Sequence, residues 1–556
     1  MRRLFNTWGL ALLAVLLLSL PVKLVAARLM PFDLDYAPVL RLGHEFLRGE
    51  GPFPVYGTLS SVAAYNMPML PWLQIPALAL TDSPFWTILL TQGSIGLLGA
   101  LALYDLGRRW HPSVGLAAAA LFSFSESGIS GAYTAWAQLL LPPLFAMTYA
   151  SLWRWFDDGP RAGLWLAFGG VLATTAFMTH FSAIMLYPSM LALALLKRAR
   201  WHKSGLLLGS LLSLALLAPY LAFQAERDFI DLRAFLTRTT VASPEAIQQA
   251  SAYKPENIGQ MPSELPADLL EDELAENATT PTEPSRLERA LAFALSVPRW
   301  IVQGFSLAFG YGTPVTGPLY ALLALFFGLA ALVALGQAIV RLNAHHRLLL
   351  DDAGLVLVGL FVVVIGLIAT RATPDVQASY YSGLVGLQLL LAALGLWHFS
   401  RLLARRWVQI VALLGLASVG LLGLERLDRV ARHDDATFTP QNAWLLLRMD
   451  ETIAWIADDW RGQGAPRLAY DFMPQMSVFW WVGAWHSVDA SYRIGMNYDY
   501  LLWARTGWHN PNQHPYGHDD QADYLITYPA NLSRYPQAEI ARAFGALRVL
   551  RLRAEG

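Results

Sequence analysis

The stretch PFDLDYAPVLRLGHEFLRGEGPFPVY, residues Pro31 to Tyr56, follows directly on the first long apolar run of the chain. It opens with two carboxylates, Asp33 and Asp35, at the water edge of a membrane helix. Behind them Val39, Leu40, Leu42, Phe46 and Leu47 are interleaved with Arg41, His44, Glu45 and Arg48, the pattern of a short amphipathic helix lying along the surface. Gly49, Gly51, Pro52 and Pro54 end that helix. Carboxylates at a membrane surface beside a horizontal helix point to a site for a lipid-linked substrate.

Working outward, the composition agrees with a membrane setting. Of 556 residues, 55% are hydrophobic and 15% charged, and the mean hydropathy is +0.39. A soluble chain of this length carries more charge, so a polytopic membrane protein is expected. The formal net charge of −1 implies no polyanion partner, and nucleic acid is set aside. The absence of cysteine removes disulfides, thiolate metal sites and cysteine nucleophiles. The N-terminus, MRRLFNTWGLALLAVLLLSLP, has the look of a signal peptide. The apolar run continues to Met30 without a small-residue cleavage site, so it is read as a retained first helix.

Apolar runs long enough to span recur at 8–30, 84–106, 112–125, 134–153, 163–178, 181–196, 205–223, 317–340, 353–371, 379–399 and 406–424. If these helices alternate, every basic cluster falls on one side. The clusters are Arg2 and Arg3, Arg108 and Arg109, Arg154 and Arg161, Lys197 to Lys203, Arg341 and Arg347, and Arg401 to Arg406. The positive-inside rule then predicts a multi-pass plasma (inner) membrane protein with a cytoplasmic N-terminus. It puts the loop 31–83, the acidic loop 224–293 and the C-terminus outside. The middle of the second loop is rich in Pro, Ser and Thr, a composition that fits a solvated linker or a mobile lid. From about Glu425 the composition changes to charged and aromatic residues. Strand-like runs at 467–472, 523–528 and 547–553 alternate with helical stretches at 440–459 and 537–544. The predicted fold class is mostly α: a transmembrane helix bundle of about eleven helices at 1–424, with a small extracytoplasmic α/β domain at 425–556.

Several polar residues have two readings. Asp33 or Asp35 can cap the following helix, yet two carboxylates at one membrane-edge helix start exceed what capping needs. Glu126, in the outer loop FSFSESGIS, is either solvated or a second acid. With Asp33 and Asp35 it offers hard oxygen ligands for a divalent metal, Mg²⁺ or Mn²⁺. His180 and His44 are structural histidines or substrate contacts, and Arg28 is a weaker candidate of the same kind. Arg371, at the outer end of the ninth span, is a snorkelling arginine or a bidentate phosphate ligand. Trp480, Trp481, Trp485, Tyr498, Tyr500, Trp503 and Trp508 suit a sugar-stacking platform, a core or an interfacial belt.

A long first helix, an acidic pair and an amphipathic helix ending in Leu-x-Gly resemble the GT-C superfamily of membrane glycosyltransferases. The likeness is to its protein O-mannosyltransferase and aminoarabinose transferase branch. Asp35, fourteen positions before Gly49, matches the first place of the family's acidic motif, while Tyr36 stands where that motif has Glu. TAWAQLLLPPLF at 134–145 is similar to a Trp-Asn-Pro helix opening, with Trp136 and Pro142 matching and Ala137 and Gln138 departing. FMTHFSAIMLYP at 177–188 resembles a Thr-His-Tyr-Ser-Ala element that carries His180. RATPDVQASYYSGLVGLQLLL at 371–391 resembles a Tyr-rich helix start, with Tyr380 and Tyr381 matching. The Trp-Trp-Asp-Tyr-Gly tract of oligosaccharyltransferases is not found.

The resemblance, over roughly residues 5–400, implies an enzyme that takes a sugar from a polyprenyl-phosphate carrier at the outer face. The acceptor is a protein, lipid or glycan, and membrane lipids surround the bundle. Asp35, supported by Asp33, is the implied base. Arg371, His180, Glu126, Tyr380, Tyr381 and His44 are the implied substrate contacts. Two rivals are a glycolipid flippase, which favours internal repeats and charges midway through spans, and a non-catalytic anchor for the C-terminal domain.

Overall fold

The computed structural model describes residues 7–32, 36–58, 65–196, 200–231, 382–402, 445–472, 490–512, 522–545 and 547–552, with isolated positions between 406 and 427. The chain opens with α1 (Thr7–Ala26), whose apolar run of twenty residues is long enough to cross a bilayer. Then come α2 (Tyr36–Arg48), α3 (Met69–Thr81), α4 (Pro84–Gly107), α5 (Pro112–Phe124) and the short α6 (Glu126–Ser130). The bundle continues with α7 (Leu141–Phe156), α8 (Ala162–Thr179), α9 (Leu186–Leu196), α10 (Lys203–Glu226) and α11 (Val385–Leu402). Among the described residues four helices, α1, α4, α8 and α10, have the length and apolarity of a span, and the apolar helices at 69–81, 112–124, 181–195 and 382–398 are shorter. The expected spans at 317–340 and 353–371 lie outside the described residues, as does most of 406–424.

Helix starts follow local chemistry. Pro84, Pro112 and Pro142 sit in first turns, where a missing N–H costs nothing. His111 caps α5 by accepting from Ser113 N–H through Nδ1. The neighbours α4 and α5 approach so closely that a Cβ on Gly107 would lie 2.6 Å from the Cα of Gly115. A continuous core from Leu103 and Phe122 to Tyr149, Trp153 and Leu390 ties α4, α5, α7, α8 and α11 together.

Helix α3 belongs to this bundle, although the sequence places it inside a loop. It has thirteen residues with Pro76 inside, too short to be read as a span. It packs instead, with Leu70 and Leu78 buried.

Beyond residue 445 lie α12 (Leu446–Asp459), β1 (Leu468–Asp471), α13 (Ala490–Thr506), β2 (Tyr524–Thr527), β3 (Glu539–Phe544) and β4 (Leu547–Arg551). The strands form one sheet in the order β1-β2-β4-β3, with β1 and β2 parallel and the other pairs antiparallel. The three expected strands are present. The stretch 537–544, expected as a helix, contains strand β3. EIARAF has little strand pattern of its own and is largely exposed; pairing with β4 along the sheet edge overrides its propensity.

Candidate functional site

The bundle has two polar ends. At one, which we term the basic end, the arginines that follow α4 and close α7 are paired. Arg154 grips Asp105 at 2.7 and 2.9 Å. Arg109 grips Asp157 at 2.8 and 2.7 Å, and His202 Nε2 stands 2.9 Å from Asp158. Trp8 meets His111 edge-on here, at 5.9 Å between centroids.

At the opposite end, three stretches singled out in the sequence meet. His180 ends α8 with an extended backbone. Its Nδ1 accepts from Ser182 N–H at 3.3 Å, which places the ring proton on Nε2. Nε2 lies 3.2 Å from Gln138 Nε2; with the amide turned so that its oxygen faces the ring, Gln138 accepts from the Nε2–H of His180. Ser382 Oγ donates to the backbone carbonyl of Gln138. Gln138 of the 134–145 stretch thus joins the 177–188 stretch to the residue that follows Tyr381. A small cleft opens beside His180, lined by Asn66, Met67, Phe177, Met178, Thr179 and Phe181.

The acidic stretch enters the same end. Asp33 and Asp35 themselves, like Arg371, Tyr380 and Tyr381, lie outside the described residues, but their neighbours are placed. Phe32 and Tyr36 are buried in one apolar cluster that also holds Ala26, Ile129 and Tyr133, and α1 touches α6. Glu126 is the first residue of α6, half-buried, and Ser125 caps that turn by accepting from Gly128 N–H at 3.1 Å.

Helix α2 is amphipathic, as expected, but its polar side is covered. Gly49, at φ +70°, ends it in the left-handed conformation that suits glycine. His44 is only 1% exposed. Its Nδ1 lies 2.9 Å from Tyr500 Oη and its Nε2 3.1 Å from Asp82 Oδ1. Burial pushes the imidazole down to about 4, against the pull of Asp82, so it is neutral at pH 7. Arg48 donates to the carbonyls of Trp503 and Ala504, satisfying the C-terminal end of α13. Arg48 and Arg41 lie 4.6 and 5.5 Å from the Trp503 ring. Tyr498, Tyr500 and Trp503 are core residues; Trp480, Trp481 and Trp485 lie outside the described residues. Asp499 accepts from Tyr470 Oη at 2.6 Å and Asn510 Nδ2 at 2.9 Å. Burial pushes its carboxyl up to about 6.

The residue most readily missed is Lys23, the one charged side chain in α1. It is 2% exposed, and its Nζ has no hydrogen-bond partner among the described residues. Helices α1 and α5 both climb from the Trp8–His111 contact. Fifteen residues on, a rise of ~22 Å, brings Lys23 to the level of Glu126. An ionisable residue inside a span is a functional candidate on that ground alone, and the sequence carries that signal in Lys23. Gln138 was read only as a departure from a motif. Among the described residues no group of three His, Cys, Asp or Glu side chains is arranged to hold a metal; Asp33 and Asp35 are not among those residues.

Comparison with known proteins agrees with the resemblance read in the sequence. Residues 65–223 match the family model described as dolichyl-phosphate-mannose-protein mannosyltransferase. No curated protein matches the chain. Among solved structures it is similar to ArnT from Cupriavidus metallidurans bound to undecaprenyl phosphate, at 13% identity over 98% of both chains with a TM-score of 0.45. It is also similar to the Archaeoglobus fulgidus oligosaccharyltransferase AglB in complex with an inhibitory peptide and a dolichol-phosphate. That likeness is 11% identity over 94% of this chain and 70% of the other, with a TM-score of 0.46.

Proposed function

We propose that the protein is an inverting GT-C-type glycosyltransferase that moves a sugar from a polyprenyl-phosphate carrier to an acceptor hydroxyl at the outer membrane face. The observation that carries this reading is the convergence at one end of the bundle. There Gln138 bonds both His180 and Ser382, and the flanks of the acidic stretch share one apolar cluster with Ile129 of α6. The described arginines that follow α4 and close α7 lie at the other end, which the positive-inside rule makes cytoplasmic.

In this reading Asp35, supported by Asp33, takes the proton of the acceptor hydroxyl. The hydroxyl oxygen attacks C1 of the sugar from the side opposite the phosphate. The C1–O bond breaks, its electron pair leaves on the phosphate, and the new glycosidic bond has inverted configuration. Arg371 holds the leaving phosphate through two N–H donors, and Lys23 adds positive charge beneath the site. Tyr380, Tyr381 and His180 line the donor side. His44 sits farther out, at the seam between α2 and α13. A divalent Mg²⁺ or Mn²⁺ on Asp33, Asp35 and Glu126 would supply further charge neutralisation.

The test is sugar transfer from a polyprenyl-phosphate donor. Asp35→Asn is expected to lose on the order of 10²–10⁴-fold, the usual worth of a general base, with donor binding kept. Asp33→Asn loses less unless a chelator also abolishes wild-type activity. Full activity in both variants would end this reading.

A further inference from the structure

We infer that the segment beyond residue 445 is a clamp that positions the acidic stretch, with Asn497 as the positioning residue that ties Phe32 to α13. This rests on the reading of Asp33 and Asp35 as the site's carboxylates.

The clamp acts on both flanks of that stretch. Before it, Leu446 N–H donates to Met30 O at 3.0 Å, and Leu445 forms a β-bridge with Pro31. Asn497 Nδ2 donates to Phe32 O at 2.7 Å. Pro31 has no N–H to offer a neighbouring strand, so this piece of chain is anchored through its carbonyls, and the C-terminal segment takes two of them. After the stretch, α2 is held against α13 by the His44–Tyr500 contact and by Arg48 on the carbonyls of Trp503 and Ala504. Three residues, 33–35, join the two anchored flanks. Asp33 follows Phe32 directly in the chain and Asp35 precedes Tyr36 directly, so each is bonded to a held residue.

Asn497 is 1% exposed, and its Oδ1 has no partner among the described residues. A half-satisfied buried amide is unfavourable; the bond to Phe32 is the one hydrogen bond described for this side chain. Loss of it frees a flank by a small distance, which is enough to lower a rate without removing a substrate contact.

The experiment uses the full-length protein in proteoliposomes with a polyprenyl-phosphate sugar donor. Asn497→Leu keeps the volume and removes the donor; Asn497→Asp keeps the shape and cannot donate. Both are expected to lower kcat about tenfold with donor KM unchanged. The chain has no cysteine, and antiparallel bridge partners lie within disulfide reach. Pro31→Cys with Leu445→Cys should therefore form one defined disulfide. Added to Asn497→Leu, the oxidised pair should raise kcat relative to the same protein reduced, because it restores the anchor without restoring the amide. An unchanged kcat in both Asn497 variants, or a fully formed disulfide that leaves kcat low, would overturn the clamp. The formation of the disulfide is read by mass spectrometry independently of transfer. Full activity of Asp33→Asn and Asp35→Asn therefore breaks the proposed function and not the measured anchor.

Discussion

The two ends of the bundle solve the same problem in different ways. Each must expose polar groups where helices leave the apolar region. At the basic end every described arginine bond of this kind has a carboxylate partner, Arg154 and Arg108 on Asp105 and Arg109 on Asp157. The described pairs there are satisfied by their own neighbours. At the far end neutral bonds, Gln138 to His180 and Ser382 to Gln138, stand beside charged ones such as Arg41 to Glu45. Buried charge there is of two kinds: Arg227 and Asp231 form a buried ion pair, whereas Lys23 and Asp499 have no oppositely charged hydrogen-bond partner among the described residues. Paired charge holds a fold; single buried charge costs stability and is kept where a ligand or a moving proton makes use of it.

The largest effect that can break this contrast is at Lys23. If its ammonium serves the far end, Lys23→Met should lower transfer on the order of 10²-fold, the usual cost of losing one donor to developing charge. Folding should be preserved or improved, because an unpaired buried charge is removed. Unchanged transfer would make Lys23 a structural residue and blur the distinction between the ends.

A smaller effect sharpens the contrast directly. Gln138→Leu and His180→Phe keep the apolar volume and remove the bridge between three stretches, and a loss of about tenfold in transfer is expected. Arg109→Gln, at the basic end, should leave transfer within about twofold, with less than ~1 kcal/mol of stability lost. Equal losses at both ends would mean that these substitutions act through stability alone. Thermal unfolding of each variant beside its transfer rate separates the two.

How much of this was legible in the sequence depends on the range over which each feature is encoded. Helices α1, α4, α8 and α10 are written in long apolar runs, and α2 in the interleaving of Val39, Leu40 and Leu42 with Arg41 and His44. Strands β1, β2 and β4 are written in short apolar runs between turns. Helix α3 was hidden because thirteen residues broken by Pro76 fall below the length of a span. Strand β3 was hidden because an edge strand needs little hydrophobic pattern of its own. Within the candidate site, His180 and Glu126 are singled out in the sequence by type and place. Gln138 and Asn497 were not, since an amide has no signature until its partner is known. The partner of Asn497 is 465 residues away. No local pattern announces that α13 covers the polar side of α2, and the likeness of His44 to a surface residue came from that omission.

The smallest effect is a cancellation at the α2–α13 seam. His44 is pushed down to about 4 by burial, from an ordinary value near 6.5. The folded protein therefore binds fewer protons than the unfolded chain between those values. The stability that His44 contributes is present above about pH 6.5 and is lost as pH falls toward 4, by ~3 kcal/mol in full. Asp499 has the opposite sign. Its carboxyl is pushed up to about 6, from near 3.9, so the folded protein binds more protons over that interval. Stability there rises as pH falls from 6 to 4, again by ~3 kcal/mol in full. The two slopes oppose each other across nearly one window, and the wild-type seam should be almost indifferent to pH between 4 and 6. Single substitutions uncover the parts. Asp499→Asn should leave a protein that weakens as pH falls from 6.5 to 4, and His44→Gln one that strengthens over the same range. Thermal unfolding in detergent at half-unit pH steps reads both slopes. Parallel slopes in the two variants would show that the pH response arises elsewhere. A steep wild-type slope would mean that one of the two groups is not buried as the seam describes it.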